Sequence, residues 1–347
     1  MKPMRLSTFR VFGAAALAVA LAVPAMAQQP AQSAATMDAV KSRGTLSCGV
    51  NTGLAGFAQP DSQGRWQGFD VEYCRALAVA LFNDASKVRY VPTTAQNRFT
   101  ALQSGEVDMM ARNTTATLSR DTSLGLDFLA VNFYDGQGFM VKSSLGVKSA
   151  KELDGATVCV QPGTTTEQNL TDWFRSNNLK FTPVIIERLE ELVSAYVAGR
   201  CDAYTTDVSG LAATRSAQPN PAEHVILPEV ISKEPLALAV RHGDQRWADL
   251  VRWTHNALVA AEELGINSKN VEQAAANDQR PEAQRLLGKT GGLGQMLGVS
   301  DNWAVNVIKA VGNYGEIFER HLTPLGIQRG PNAQWTQGGL QYSPPFR

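Results

Sequence analysis

The chain has 347 residues, of which 44% are hydrophobic and 18% are charged, so it is long enough for two or three domains around a large core. This composition excludes disordered and collagen-like proteins. Lysine and arginine together number 32, as do aspartate and glutamate, and this balance gives no indication of binding to nucleic acid or to an anionic membrane surface.

The first 27 residues have the pattern of a secretory signal peptide. Basic residues precede an apolar run over residues 11–23, and Ala-Met-Ala at residues 25–27 is a typical cleavage site. The alternative is a membrane anchor, but the run is shorter than the ~20 residues that span a bilayer. We therefore predict that residues 1–27 are removed and that the mature protein is exported.

Export would place Cys48, Cys74, Cys159 and Cys201 in an oxidising compartment, where disulfides persist. No C-x-x-C motif occurs, so neither a thioredoxin-like redox site nor a zinc ribbon is indicated. Three pairings are possible, and four free thiols are the alternative. Two cysteines fall in each half of an internal repeat, which favours Cys48–Cys74 and Cys159–Cys201, each worth ~3 to 4 kcal/mol.

The repeat becomes visible when the elements are followed along the chain. The periodicity predicts strands at 46–50, 88–91 and 107–111, with helices at 69–82 and 98–103 between them. This β-α-β-α-β order indicates a mostly parallel sheet with right-handed crossovers.

The second half begins again after an extended, aromatic-rich stretch near residues 126–142. Strands are predicted at 156–160, 184–186 and 201–205, with helices from 164 and over 189–197. A Pro-rich loop at 219–228 then precedes a strand at 235–240 and a helix at 247–264. If the segments 138–141 and 236–240 both cross between the halves, two strands connect two lobes and form a hinge.

Polar residues follow one strand in each half. Asn113, Thr115 and Arg120 follow the strand 107–111, whereas the corresponding strand 201–205 is followed by Asp207. Ligands of open α/β sheets bind beyond the carboxyl ends of the strands. An arginine there offers a fork suited to a carboxylate, and an aspartate accepts from an ammonium group, so one half presents a cation and the other an anion.

Two further positions are predicted to lie at the carboxyl ends of the strands, beside the ligand. Asn51 ends the first strand, and Thr164-Thr165-Thr166-Glu167 has the S/T-x-x-E pattern of a capping box at a helix start. A helix N-terminus exposes N–H groups that suit an anion, so Thr164 and Thr165 are candidate ligand contacts. The alternative is plain helix capping without a ligand.

At this point the chain resembles a known family, the family 3 extracellular solute-binding proteins of polar amino-acid ABC transporters. The similarity rests on GFDVEYCRALA (68–78), LQSGEVDMM (102–110), TATLSR (115–120), QPGTTTE (161–167) and GRCDAYTTD (199–207). The C-terminal motifs GNYGEIFER (312–320) and GGLQYSPPFR (338–347) resemble the longer subgroup that serves general L-amino-acid transporters.

The resemblance implies a type II periplasmic binding protein, an α/β fold with two lobes, two hinge strands and a C-terminal helical extension. It places residues 38–138 and 236–265 in lobe 1, residues 141–233 in lobe 2, and residues 266–347 in an extension packed on lobe 1. The aromatic residues of that extension are expected to contact the first lobe.

The family's carboxylate clamp falls on Arg120 with Thr115, Asn113 and Thr165, and its ammonium acceptor falls on Asp207. The alternatives are a surface salt bridge for Arg120 and a helix N-cap for Asp207.

The sequence departs from the common family pattern near the predicted site. Asn51 stands where an acid is frequent and Leu54 where an aromatic residue is frequent, which weakens the case for a lysine- or arginine-specific site. Arg112 stands where the family often has serine. Arg112 either faces the cleft and favours glutamate or aspartate as the ligand, or lies at the rim or pairs with an acid elsewhere. For Arg98 both a role in the cleft and a structural role are possible.

These features predict a receptor that closes on an L-amino acid with broad specificity and delivers it to an inner-membrane ABC permease. We expect a monomer without cofactor, metal or catalytic residue. The alternative is an enzyme on the same fold, of the dehydratase or lytic transglycosylase type. Such an enzyme needs an acid or base in the cleft, for which Asp207 or Glu167 would have to serve, because no predicted cleft loop contains histidine.

Overall fold

The structure is a computed structural model that describes residues 36–347, so the predicted signal peptide lies outside the described residues. In this range the strands are β1 (Leu46–Asn51), β2 (Gln59–Pro60), β3 (Trp66–Gln67), β4 (Val88–Thr93), β5 (Met109–Met110), β6 (Leu126–Asp135), β7 (Gln137–Lys142), β8 (Ala156–Val160), β9 (Phe181–Ile185), β10 (Ala203–Asp207), β11 (His224–Ile226) and β12 (Glu234–Arg241).

The α-helices of the same range are α1 (Thr36–Arg43), α2 (Phe69–Phe82), α3 (Arg98–Gln103), α4 (Leu118–Ser123), α5 (Thr165–Ser176), α6 (Leu189–Val197), α7 (Val208–Ser216), α8 (Gln245–Glu263), α9 (Val271–Asn277), α10 (Pro281–Leu286), α11 (Leu293–Met296), α12 (Trp303–Val311) and α13 (Tyr314–His321). None of them combines the length and the apolar character of a membrane span.

Two five-stranded sheets organise the described chain. The first has the order β4-β1-β5-β12-β6, and the second has the order β11-β7-β10-β8-β9. In the first sheet β1 runs parallel to β4 and β5, while β12 runs antiparallel to β5 and β6. In the second, β8 runs parallel to β9 and β10, and β7 is antiparallel to β10. This confirms the predicted α/β architecture with two lobes, called here the first and second lobe after their sheets.

Burial explains the sequence pattern of the first lobe. All six residues of β1 are buried, as expected of a strand that is paired on both sides. Helix α2 buries 11 of its 14 residues because it lies between the sheet and the helices α8 and α12. A helix with so little solvent-facing surface needs apolar residues on most of its sides, which is why its sequence is apolar beyond a single stripe.

The chain crosses between the lobes at two neighbouring positions. Gly136 separates β6 from β7, and Lys233 precedes β12, whose first residue Glu234 pairs with Asp135 of β6. A Cβ atom on Gly136 would lie 2.3 Å from the side chain of Val230, so only glycine fits this crossing. The segments 138–141 and 236–240, predicted as crossings, lie inside the second and first sheets, because their backbones continue the ladders with β10 and β6.

Several elements differ from the sequence prediction, and three of them shape the second sheet and the crossing. The stretch near residue 130 forms β6, a ten-residue edge strand that pairs with β12 along its length. Helix α7 was not predicted, and the Pro-rich loop 219–228 contains the short strand β11. Each of these elements depends on a partner that is distant in sequence, so local periodicity carried little signal for it.

The C-terminal extension packs on the first lobe through aromatic side chains. The ring of Phe318 stacks on Phe133 of β6 at 6.1 Å, and Tyr314 meets Phe69 of α2 edge to face at 5.8 Å. Asn332 exchanges two hydrogen bonds with the backbone of Tyr134, at 2.7 and 3.0 Å. The extension therefore covers the free edge of β6 next to the crossing.

Two disulfides are present, Cys48–Cys74 and Cys159–Cys201. The first joins β1 to α2 in the first lobe. The second joins β8 to the residue that lies two positions before β10 in the second lobe. Each disulfide therefore constrains one lobe and leaves the crossings free.

We expect the double substitution Cys159→Ser and Cys201→Ser to lower the free energy of unfolding of the second lobe by about 4 kcal/mol. The disulfide closes a loop of 42 residues, and its loss gives the unfolded chain that loop's entropy. Urea unfolding of the mature protein, followed by fluorescence, measures this change. An unchanged midpoint would contradict the expectation, and Cys48→Ser with Cys74→Ser, which opens only the disulfide of the first lobe, is the matched comparison.

Candidate functional site

A narrow cavity lies between the two lobes, at the carboxyl ends of β5 and β10. The first lobe lines it with Arg98, Arg112, Asn113 and Thr115. The second lobe lines it with Gln161, Thr164, Thr165 and Asp207. We call this cavity the cleft. Five of the seven predicted ligand-binding residues lie on its wall, and the other two, Asn51 and Arg120, each form a hydrogen bond to a residue that does.

The backbone turns sharply at Asn113, where φ is +21°. The N–H of Asn113 donates to the carboxylate of Asp70 at 3.1 Å, and its side-chain oxygen accepts from Asn51 at 3.0 Å. Burial raises the pKa of Asp70 to about 7, against the opposing effect of the hydrogen bond from Asn113 and of the charge of Arg112. Buried contacts on both sides therefore hold an unfavourable backbone conformation at the cleft.

Arg120 is fixed by the short helix α4. The hydroxyl of Thr117 caps this helix by accepting from the N–H of Arg120 at 3.2 Å. The guanidinium group of Arg120 donates to the carbonyl oxygen of Thr115 at 2.9 Å and lies over the ring of Phe99 at 5.1 Å. Arg120 is 8% exposed and forms no ion pair within the described residues. The surface salt bridge considered from the sequence is therefore not its role.

Arg98 and Arg112, whose positions the sequence left open, both face the cleft. Arg98 donates to the hydroxyl of Thr114 at 3.2 Å, and Arg112 donates to the carbonyl oxygen of Thr93 at 3.0 Å. The Nε of Arg98 is buried and has no hydrogen-bond partner in residues 36–347. Burial lowers the pKa of Arg112 to about 10, and burial together with Arg112 and Arg120 lowers the pKa of Arg98. Two cations therefore lie on the first-lobe wall, and Arg120 is close enough to lower the pKa of both.

The second lobe presents the N-terminus of α5 to the cleft. Thr164 is the N-cap, and its hydroxyl accepts from the N–H of Glu167 at 3.1 Å. The carboxylate of Glu167 accepts from Gly163, one residue before the cap, at 2.9 Å, so the capping box is shifted by one residue from its usual form. The first N–H groups of α5 have no acceptor within the helix and face the cleft with the positive end of its dipole.

Asp207 lies opposite, where β10 ends and α7 begins. It occupies the N-cap position of α7, but its carboxylate accepts no cap hydrogen bond, so plain capping does not explain it. Burial raises the pKa of Asp207, and the nearby carboxylates Asp135 and Glu234 raise it further. Within the described residues no group donates a hydrogen bond to the carboxylate of Asp207, although this residue is only 6% exposed.

Several side chains meet across the cleft. The hydroxyls of Thr115 and Thr165, from different lobes, lie 3.4 Å apart. Near the mouth of the cleft the hydroxyl of Thr94 donates to Glu187 at 2.8 Å. The lobes are therefore closed on each other.

Glu234 is a residue of this site that sequence reasoning missed. It is the first residue of β12 and is 1% exposed, and it accepts hydrogen bonds from both lobes. In sequence it is one of several acids in a polar stretch, and Glu229 nearby has the same local appearance. Only the return of β12 to the first sheet brings it to the cleft.

Two larger cavities lie outside the cleft. One of about 570 Å³ lies between the loop around Leu54 in the first lobe and helices α6 and α7 in the second. Another of about 980 Å³ lies behind the crossings, against the C-terminal extension, and its lining is mainly apolar. The cleft differs from both cavities because buried arginines and a buried aspartate, Arg98, Arg112 and Asp207, line it together.

One group of metal-ligating side chains occurs in residues 36–347. Ligand atoms of Asp121, Asp127 and His242 lie within 4.8 Å of one another, and the imidazole of His242 is 3.4 Å from Asp127. None of the three lines the cleft. The sequence indicated no metal, and that stays a prediction.

The arrangement matches a molecule that carries both charges. Arg98, Arg120 and the start of α5 offer N–H groups to an anion, and Asp207 offers oxygen atoms to a cation. Buried polar atoms without a partner cost free energy, so a ligand that supplies both partners is bound favourably.

Comparisons with known proteins agree with this chemistry. The profile of the bacterial extracellular solute-binding proteins, family 3, matches residues 46–270. The glutamate/glutamine/aspartate/asparagine-binding protein BztA of Rhodobacter capsulatus is 57% identical over 347 residues, covering 99% of this chain and all of that protein. The general L-amino acid-binding periplasmic protein AapJ of Rhizobium johnstonii is 55% identical over 343 residues, covering 97% of this chain and 99% of that protein.

A solved structure is similar over most of the chain. It is an ABC transporter periplasmic binding protein from Brucella ovis with glutathione bound, with 58% sequence identity and a TM-score of 0.89. The match covers 91% of this chain and all of the Brucella chain.

We expect Asp70→Asn to change the pH dependence of stability. Because the folded protein holds the proton of Asp70 up to about pH 7 and the unfolded chain releases it near pH 3.8, the folded state binds more protons between these values. The free energy of unfolding therefore falls as the pH rises through this window. Asp70→Asn removes this contribution, and urea unfolding between pH 4 and 8 measures it. Parallel curves for the variant and the unsubstituted protein would contradict the expectation, and Asp172→Asn, at an exposed site, is the control.

Proposed function

Because this chain belongs to the bacterial extracellular solute-binding proteins of family 3, we propose that it is the periplasmic binding component of an ABC transporter for L-amino acids. Two relatives share more than half of its sequence and have nearly the same length. One binds glutamate, glutamine, aspartate and asparagine, and the other binds L-amino acids generally. The protein reaches the periplasm through the signal peptide at residues 1–27, which lies outside the described residues.

The observation that carries the proposal is a pair of buried groups without an ion pair, Asp207 on the second-lobe wall of the cleft and Arg120 behind Thr115 in the first lobe. Arg120 and the N-terminus of α5 bind the ligand's carboxylate, and Asp207 binds its ammonium group. Asn51 and Asn113, joined by a hydrogen bond, contact the part of the ligand nearest the first lobe. Support comes from the burial of Arg120 and Asp207 and from the absence of any ion pair to either within residues 36–347.

Closure follows from this division of the charges between the lobes. A ligand that contacts Arg120 in one lobe and Asp207 in the other binds the closed form more tightly than the open form. This difference in affinity is the only way in which a ligand can shift the equilibrium. The crossings at Gly136 and Lys233 are short, so the lobes move as units around them.

Broad specificity rests on the space beyond the clamp. The cavity of about 570 Å³ has walls from both lobes, and its lining residue Thr94 is next in sequence to Ala95 of the cleft, so in this proposal it receives ligand side chains of different length and polarity. Arg112 favours acidic side chains among them. The bound glutathione of the Brucella relative, a peptide larger than an amino acid, is consistent with such a roomy site.

Delivery to an inner-membrane ABC permease by a monomer completes the proposed cycle. Catalysis has no part in it. An enzyme of the dehydratase or transglycosylase type needs a general acid or base at the reacting atoms, and the acid in the cleft, Asp207, is committed to the ammonium group in this proposal.

A thermal-shift screen with the twenty L-amino acids tests the specificity. We expect several of them, both acidic and uncharged, to raise the melting temperature, because a ligand that binds only the folded state at ~100 times its Kd adds ~2.7 kcal/mol. N-acetylated amino acids, which lack the ammonium group, are the control and should cause no shift. A response to a single compound would refute broad specificity, and no response to any would refute amino-acid binding.

The clamp is tested by Arg120→Ala and Asp207→Ala. Each leaves a buried ligand charge without its partner, so we expect the affinity for L-amino acids to fall by roughly 30-fold or more. Titration calorimetry measures the affinity, and circular dichroism verifies the fold. Arg175→Ala and Asp172→Ala, in an exposed ion pair on α5, are matched controls that should bind normally. Retained affinity in both clamp variants would overturn the assignment.

A further inference from the structure

The cavity of about 980 Å³ behind the crossings, called here the rear cavity, has walls from three parts of the chain. The crossings contribute residues 133–136 and 233–235, helix α7 of the second lobe contributes Val208 and Ala212, and the C-terminal extension contributes Ile327. Sites for small molecules usually enclose roughly 300 to 1,000 Å³. The rear cavity is therefore large enough for a small molecule, which would contact both lobes and the extension.

The extension gives this cavity an apolar wall that the common family pattern lacks. The family 3 profile ends at residue 270, whereas Ile327 and Leu340 line the rear cavity. Leu340 is 55% exposed, and Val230, which lines the cavity from the second lobe, is 61% exposed. Large apolar side chains that are exposed together mark surfaces that bind other molecules. The walls therefore suit a ligand with an apolar body.

The acids of the lining already have hydrogen-bond partners. The carboxylate of Asp135 accepts from the N–H of Gly136 at 2.8 Å and from the N–H of Ser209 at 3.3 Å. Glu234 accepts from the side chains of four neighbouring residues. A ligand is therefore not needed to satisfy either carboxylate.

The two basic side chains of the lining differ from the acids in this respect. Arg215, half-buried in the last turn of α7, and Lys233, exposed at the crossing, form neither an ion pair nor a side-chain hydrogen bond within residues 36–347. A guanidinium group offers a planar pair of N–H donors that matches a carboxylate. The lining thus combines apolar walls with positive charges that lack partners.

We propose that the rear cavity binds a small amphipathic carboxylate, separately from the ligand in the cleft. Its apolar body lies against α7 and the extension, and its carboxylate is bound by Arg215 and Lys233. The linings of the rear cavity and of the cleft share no residue, so both sites can be filled at once. This ligand needs no ammonium group.

The position of the rear cavity couples it to closure of the lobes, a consequence that rests on the proposed function. In the closed form, α7 contacts the short turn Thr323–Leu325 of the extension. Rotation about the crossings changes the distance between these walls, so a carboxylate that fits the closed form stabilises it. An amino acid in the cleft then raises the affinity of the rear cavity, and the effect is reciprocal.

Titration calorimetry of the mature protein with hexanoate, octanoate and decanoate tests the site. We expect the affinity to rise by up to about 4-fold per added methylene, because each buries apolar surface. 1-Octanol, which has the same chain without the charge, should bind roughly tenfold more weakly than octanoate. No binding, or the same affinity along the series, would overturn the proposal.

Arg215→Met keeps an apolar side chain of similar length and removes the charge. We expect the octanoate affinity to fall roughly tenfold and the 1-octanol affinity to stay the same. Arg175→Met is the matched control, because Arg175 also lies in the last turn of a second-lobe helix but is exposed and paired with Asp172. The same octanoate affinity in both variants would refute the role of Arg215 and with it the proposal.

Ala116→Trp fills the rear cavity from the first lobe. Ala116 lines the cavity, and its N–H donates to the carbonyl of Pro235 at 2.9 Å, a bond that the substitution leaves in place. We expect octanoate binding to be lost in a variant that circular dichroism shows to be folded. Unchanged octanoate affinity in the folded variant would overturn the proposal, and if the variant does not fold, Arg215→Met decides the matter.

Octanoate titrations with saturating L-glutamate separate the two sites. We expect octanoate to bind more tightly than without L-glutamate, and octanoate to raise the L-glutamate affinity by the same factor. Loss of octanoate binding would mean that octanoate occupies the cleft, which refutes the proposal. Failure of any amino acid to bind would refute the proposed function, whereas the chain-length series and Arg215→Met would still test the rear cavity.

Discussion

The burial of unmatched charges on facing walls is the constraint on which the rest of the structure depends. Removing a charged group from water costs several kcal/mol unless a partner replaces the lost solvation. Arg98 and Asp207 line the cleft, Arg120 is buried beside it, and none of the three has an ion pair in the described chain. The fold holds this unfavourable arrangement in place, and in the proposed function a zwitterionic ligand relieves it.

The two lobes are built to hold those charges firmly while leaving their separation adjustable. In the first lobe the disulfide Cys48–Cys74 and the C-terminal extension brace the sheet, and Phe318 stacks on Phe133 beside the crossing. The second lobe has its own disulfide and two small hydrophobic cores. The lobes are joined by the crossings, by the cleft contacts and by the packing of α7 against the first-lobe core and the C-terminal extension.

The sequence determined most of the individual elements. Helices α2, α3 and α6 have the predicted bounds, and β8 does as well, because apolar periodicity, glycine ends and capping residues are local signals. The internal repeat indicated two similar halves, and the polar residues after β5 and β10 indicated the cleft. The sequence also placed Arg120 and Asp207 after strands of the two halves, because the position after a strand of an open sheet depends only on local order, and their role as ligand contacts stays a prediction.

The tertiary structure alone decided what these residues do to each other. The crossings lie at Gly136 and Lys233 rather than further along, because backbone pairing extends each sheet up to those points. Arg98 and Arg112 could have paired with acids elsewhere, and their placement in the cleft follows from packing of α3 and the turn at Asn113. Glu234 had no distinguishing mark in the sequence. Its contacts join residues separated by 69 and 119 positions along the chain, and no local pattern encodes such a meeting.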